Sequence, residues 1–96
     1  MIASFGDKST EENFFIQDTK AARKLPKNIF ANAKKKLDIL DAATSLEDLR
    51  AVPGNQLEKL KDDLFGWHSI RINKQWRIIF TWSGNNAHSV KIIDYH

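Results

Sequence analysis

The hydrophobic period of this chain changes at Pro53-Gly54-Asn55, and that change is the strongest constraint on its fold. Before the break, Ile29, Ala33, Leu37 and Leu40 recur at spacings of four and three, with Phe30 alongside, the pattern of a helix with one buried face. After it, apolar and polar residues alternate between short turn signals, the pattern of strands. A chain helical in one half and strand-like in the other folds as a helix layer against an antiparallel sheet, the α+β class.

The boundaries follow from local chemistry. Met1 to Phe5 reads as an opening strand ended by Gly6-Asp7, after which Asp7 or Ser9 caps a short helix with Phe14 and Phe15 turned partly inward. Pro26 suits a first helical turn, so the main helix is expected from about Pro26 to Ala42, with Lys27, Lys34 and Lys35 mostly away from its buried face. Lys20 to Lys24 either extends that helix before a bend or forms the loop leading to it. Thr44 or Ser45 caps a further short helix, with Leu46 and Leu49 inward.

Beyond the break, Leu57 to Lys61 is an ambiguous short strand. His68 to Ile72 and Gln75 to Trp82 are clearer ones, joined by a tight turn at Asn73-Lys74, and Ser83 to Asn86 turns the chain into a last strand, Ala87 to Tyr95. Alternation puts Trp76, Ile78, Phe80 and Trp82 on the face that receives the helices and Arg77, Ile79 and Thr81 on the other. In the last strand, His88, Val90, Ile92, Asp94 and His96 share one parity, and Ser89, Lys91, Ile93 and Tyr95 the other.

Ninety-six residues, 42% of them hydrophobic, are enough for one domain, 1–96, with one modest core. No cysteine is present, which excludes a disulfide framework and a thiolate nucleophile, and nothing resembles a metal site or calls for a cofactor. The chain carries neither the apolar run of a signal peptide nor a stretch of membrane-spanning length, so a cytoplasmic protein without a membrane partner is expected. Lys20, Arg23, Lys24, Lys27, Lys34, Lys35 and Lys36 follow one another without an intervening acidic residue. Such a run attracts RNA, DNA or an acidic protein segment, or is a helix face kept soluble by lysines.

The candidates for chemistry lie in the strand half. The imidazole of His96 moves protons near neutrality, and Lys61, Arg71 and Arg77 can hold a phosphate, although an ion pair to an aspartate accounts for a lone arginine equally well. Trp76 and Trp82 read as core residues, whereas Trp67 beside a turn is open to either reading.

The stretch Gly54 to Lys61, the stretch Gly66 to Phe80 with its Trp76-Arg77 pair, and the ending Asp94-Tyr95-His96 together resemble HigB toxins of the RelE-like superfamily over essentially the whole chain. The resemblance implies a RelE-like small domain with an N-terminal strand, two or three helices and an antiparallel sheet. It also implies the toxin of a bacterial type II toxin-antitoxin pair, a metal-independent endoribonuclease that cuts translated mRNA on the ribosome. Its partner would be a HigA-like helix-turn-helix antitoxin, through which the complex chiefly reaches operator DNA. By position, Asp94, Tyr95, His96, Arg77 and Lys61 match the family's functional residues, and Arg71 lies in the strand facing the same cleft. Glu58 stands where relatives have histidine or glutamate and is a possible general base; Asp62 replaces a glycine common after the lysine. Lys20, Arg23, Lys24 and Lys27 would contact ribosomal RNA. The alternative is a noncatalytic ribosome- or RNA-binding module of the same fold.

Overall fold

The computed structural model describes residues 1–16, 20 and 22–95. Its elements run in the order α1 (Lys8–Phe14), α2 (Phe30–Ala42), α3 (Leu46–Arg50), β1 (Glu58–Lys59), β2 (His68–Arg71), β3 (Trp76–Ser83) and β4 (Asn86–Asp94). The four strands form one antiparallel sheet in sequence order. The helices cover one face of it, giving the expected α+β arrangement.

Capping chemistry sets the helix starts. The Asp7 side chain accepts from Thr10 N–H at 2.9 Å, and Ser45 forms a reciprocal capping box with Asp48 at the head of α3. Pro26 does open the main helix, but the first turn, Lys27–Ile29, is a 3₁₀ turn and the α-helix proper begins at Phe30. The basic residues upstream are not an extension of α2; Ala22–Lys24 is a separate 3₁₀ turn. The opening segment lies parallel to β4 through isolated bridges, Ile2 to Ala87 and Phe5 to Val90, rather than in a regular ladder. Phe15 departs from expectation: Phe14 packs against the core, but Phe15 is 58% exposed.

The expected stripe of Ile29, Ala33, Leu37 and Leu40 is buried against Ile70, Ile78, Phe80, Val90 and Ile92 of the sheet, with Trp76 and Trp82 at its margin. Burying each large apolar side chain contributes roughly 1.5–3 kcal/mol, which makes this contact the main source of stability. The turn between β3 and β4 is the two-residue Gly84-Asn85, both at positive φ (59° and 63°), the geometry whose twist matches the flanking strands. The turn between β2 and β3 is wider than Asn73-Lys74: Ile72 to Gln75 leave the ladder, and the Asn73 side chain closes the loop by accepting from the N–H groups of Gln75 and Trp76, each at 2.8 Å.

Regular alternation fails in β4. Ile79 pairs with Lys91 but Thr81 pairs with His88, so Phe80 faces two residues, Ser89 and Val90, and Ser89 takes φ 55°. This bulge turns both Ala87 and Val90 into the core and puts His88 opposite Thr81, on the other face from Val90 and Ile92.

Lys36 also departs from a simple helical wheel. It is buried, and its ammonium donates to Asn55 Oδ1 at 2.7 Å. Asn55, itself fully buried, donates through Nδ2 to the Leu49 carbonyl at 3.0 Å and accepts at its own carbonyl from Arg71 N–H at 2.7 Å. Burial, with help from neighbouring Lys35, pulls the Lys36 pKa below its ordinary value. One asparagine thereby ties α2, the end of α3 and β2 together. Asn55→Ala strands the buried ammonium and the Leu49 carbonyl and should cost about 2–4 kcal/mol, whereas Lys36→Met should cost far less; urea unfolding of the two variants measures the difference.

His68 stacks on Phe80 with ring centroids 5.7 Å apart. Burial, and secondarily the charge of Lys59, lowers its pKa from 6.5. The unfolded chain therefore binds this proton more tightly than the folded one. The corresponding stability is fully present above pH 6.5 and is lost as pH falls through the lowered folded-state value. His68→Gln should flatten the loss of thermal stability between neutral and mildly acid pH; an unchanged pH profile would remove His68 as its source.

Candidate active site

Because the helices take the face of Ile70, Ile78 and Ile92, the register of the ladder assigns Ser69, Arg71, Arg77, Ile79, Lys91 and Ile93 to the opposite face. Glu58 of β1 pairs with Ser69 and joins that face at the edge of the sheet. Charged and phosphate-binding residue types collect there because the core has no place for them.

Arg77 is the best-defined member. Its Nη1 donates to Ser69 Oγ at 3.0 Å and to the Gln56 carbonyl at 3.3 Å, while Nη2 lies 3.5 Å from Glu58 Oε1. The side chain is only 11% exposed, against 49% for Glu58. Two neutral acceptors thus fix one edge of the guanidinium without cancelling its charge, and the anionic partner sits towards solvent. The ring of Tyr95 lies 5.2 Å from the guanidinium carbon, close enough for a cation–π contact that further limits its motion. A guanidinium held at one edge and flanked by an exposed carboxylate presents its remaining donors to an oxyanion.

Arg71 stands directly opposite Arg77 in the ladder, so two cations share one patch of the open face. Lys61 is exposed three residues beyond Glu58, at the start of a 3₁₀ turn, Asp62–Leu64. Asp94 goes elsewhere. It pairs with Trp76, on the core side of the ladder, and its carboxylate accepts from Gln75 Nε2 at 3.0 Å. Since the Gln75 carbonyl also accepts from Tyr95 N–H at 2.7 Å, Gln75 clamps the end of β4 from both sides. His96 lies outside the described residues.

The structure therefore brings Glu58, Arg71, Arg77 and Tyr95 to one face and leaves Asp94 on the other. The exposed Lys20, Arg23, Lys24 and Lys27 belong to the helix layer, across the sheet from Arg77. Ser69 and Gln56, which position Arg77, were not singled out in the sequence. Ser69 had a signal in its shared parity with Arg71; Gln56 acts through a backbone carbonyl that no side-chain pattern reports. Among the described residues, no three His, Asp or Glu side chains gather as ligands for a metal ion, and no helix is long and apolar enough to cross a membrane.

Comparison with known proteins agrees with the fold. Residues 3–96 match the family model described as the RelE-like toxin of type II toxin-antitoxin system HigB. The chain is 48% identical over 82 residues to Toxin HigB-1 of Vibrio cholerae, covering 85% of this chain and 84% of that protein. It is 34% identical over 76 residues to a protein of Haemophilus influenzae, covering 79% and 75%. Its fold is similar to a chain of the YoeB-YefM complex from Staphylococcus aureus (TM-score 0.61, 21% identity, 100% of this chain and 98% of that one). The YoeB/ParE toxin from Agrobacterium tumefaciens is similar too (TM-score 0.54, 15% identity, 100% and 99% covered). With the family model matched from residue 3 to residue 96, this chain belongs to the RelE-like HigB toxins of type II toxin-antitoxin systems.

Proposed function

We propose that the protein is a ribosome-dependent endoribonuclease that cleaves translated mRNA, acting as the toxin of a type II pair with a HigA-like helix-turn-helix antitoxin. The observation that carries this reading is the anchored guanidinium of Arg77 beside the half-exposed carboxylate of Glu58. Cleavage without a metal needs three things: a base for the ribose 2′-hydroxyl, a cation for the charged phosphorane, and an acid for the departing 5′-oxygen. Arg77 holds the scissile phosphate, displacing the Glu58 carboxylate as RNA arrives. Arg71, its neighbour in the ladder, and Lys61 add charge. Glu58, displaced by only a few ångströms, is then placed to take the 2′-hydroxyl proton.

His96 supplies the proton to the leaving oxygen. Tyr95 fixes Arg77 and offers a ring to a base, and Asp94 acts at a distance by tying the end of β4 to Gln75. Lys20, Arg23, Lys24 and Lys27 form a separate cationic surface in the helix layer, suited to ribosomal RNA rather than to the reacting phosphate. The antitoxin carries the contact with operator DNA. Support for the pairing comes from the family itself, and from the similarity in fold to a chain of a heterotetrameric YoeB-YefM toxin-antitoxin complex from Staphylococcus aureus.

Wild type and variants are induced in bacterial cells, new RNA ends are mapped on translated messages, and ribosomes are purified in parallel. His96→Ala and Arg77→Lys should each lower cleavage by about 10²–10³-fold while ribosome binding and thermal stability persist. Ribosome binding by the wild type without new RNA ends would favour the noncatalytic module.

Glu58→Gln separates two roles of the carboxylate. Loss of about 10²-fold in turnover with ribosome affinity kept is expected of a general base. Turnover at the wild-type level would reduce Glu58 to a counter-ion of Arg77.

A further inference from the structure

Phe65 is 83% exposed, more than any other large hydrophobic side chain among the described residues. It sits at the end of the 3₁₀ turn Asp62–Leu64, where its N–H donates to the Asp62 carbonyl at 3.0 Å, so a short, hydrogen-bonded turn holds the residue outward. Gly66 follows with φ 91°, and apart from its two chain neighbours nothing lies within 4 Å of the place a Cβ would occupy there. Beside it is a notch of about 90 Å³ lined by Lys59, Leu60, Phe65, Gly66, Trp67 and His68. Lys91 stands with its ammonium 5.5 Å from the centre of the Trp67 ring. A lone exposed phenylalanine needs no explanation. An exposed phenylalanine and a tryptophan bounding one open notch, with Lys59 in its wall, Lys91 over the second ring and Lys61 at the head of the turn, is the composition of a site for single-stranded nucleic acid.

Its place in the sheet fits that occupant. Trp67 precedes β2 and shares the parity of Ser69 and Arg71, and Lys91 pairs with Ile79 on the same face as Arg77. Four residues of extended strand put Trp67 roughly 13 Å from Arg71, beyond the reach of one phosphate group. Resting on the ribonuclease reading above, we propose that Phe65 and Trp67 form a stacking subsite for a base of the RNA strand that flanks the scissile phosphate, with Lys59, Lys61 and Lys91 balancing the backbone charge. The acidic pair Asp62-Asp63 in the same turn repels phosphates as it repels acidic side chains, so the rings rather than net charge are what this site offers a nucleic-acid strand.

The probes are a short oligouridylate and the same oligomer with abasic positions, which keep the phosphates but remove the rings. Wild type should bind the intact oligomer about 10-fold more tightly than the abasic one, and Phe65→Ala should abolish that difference. Phe65→Trp should restore it and Phe65→Leu should not, because leucine keeps the apolar surface without the π face. In ribosome-dependent cleavage, Phe65→Ala should raise KM by a similar factor with kcat and thermal stability unchanged. Equal binding of the two oligomers by wild type, or full activity of Phe65→Leu, overturns the subsite. Absence of cleavage by wild type overturns the ribonuclease reading instead, while the oligomer comparison still decides whether a base stacks here.

Discussion

Everything at the open face of this protein depends on how the sheet is buried on the other. Ile78 and Phe80 are fully enclosed at its centre, pressed against Leu37 and Leu40 of α2. Once they are fixed, strand alternation leaves no freedom for Arg77, which must project away from the core. A slip of one residue in β3 would send Arg77 into the apolar layer and Ile78 into water, an exchange that costs several kcal/mol at both positions. The geometry of the open face is here a by-product of core geometry.

The connection between the layers explains why Arg77 is held so closely. Asn55 is pinned by Lys36 and by the Leu49 carbonyl, and the next residue, Gln56, takes φ 46° and turns its carbonyl towards the guanidinium. Two residues further on, Glu58 enters β1 and meets Ser69 across the ladder. A single buried polar knot thus sets the path of the segment that supplies both a neutral and an anionic partner of Arg77. Buried polar groups satisfied in this way specify position more than they add stability.

How much of this was legible in the sequence depends on the range of the interaction. The α2 stripe, the Asp7 and Ser45 caps and the Gly84-Asn85 turn are written in residues close together in the chain, where spacing and side-chain chemistry suffice. The bulge at Ser89 was not, because an extra residue in one strand leaves both strands locally alternating and only the partner strand shows the mismatch. Lys36 was missed for a similar reason: its inward position is tolerable only because Asn55, 19 residues away, accepts from it. Arg77 was singled out from its residue type and strand parity and Glu58 through the family resemblance, but their proximity is a property of the ladder. Asp94, grouped with Tyr95 and His96 through the family resemblance, differs from Tyr95 in strand parity, and the ladder keeps the two on opposite faces.

The opposition of Arg71 and Arg77 has the character of a functional rather than a structural arrangement. Like charges directly opposite in an antiparallel pair weaken it, and an apolar pair on that face would stabilise the sheet more. Glu58 relieves Arg77 in part, but it is half-exposed and belongs to a strand of only two residues at the sheet edge. The free protein therefore carries a concentrated positive field whose counter-ion is easily displaced. A phosphate group entering the patch would gain from both cations while displacing one exposed carboxylate, and so would relieve the like-charge repulsion that the core imposes by fixing both arginines on one face.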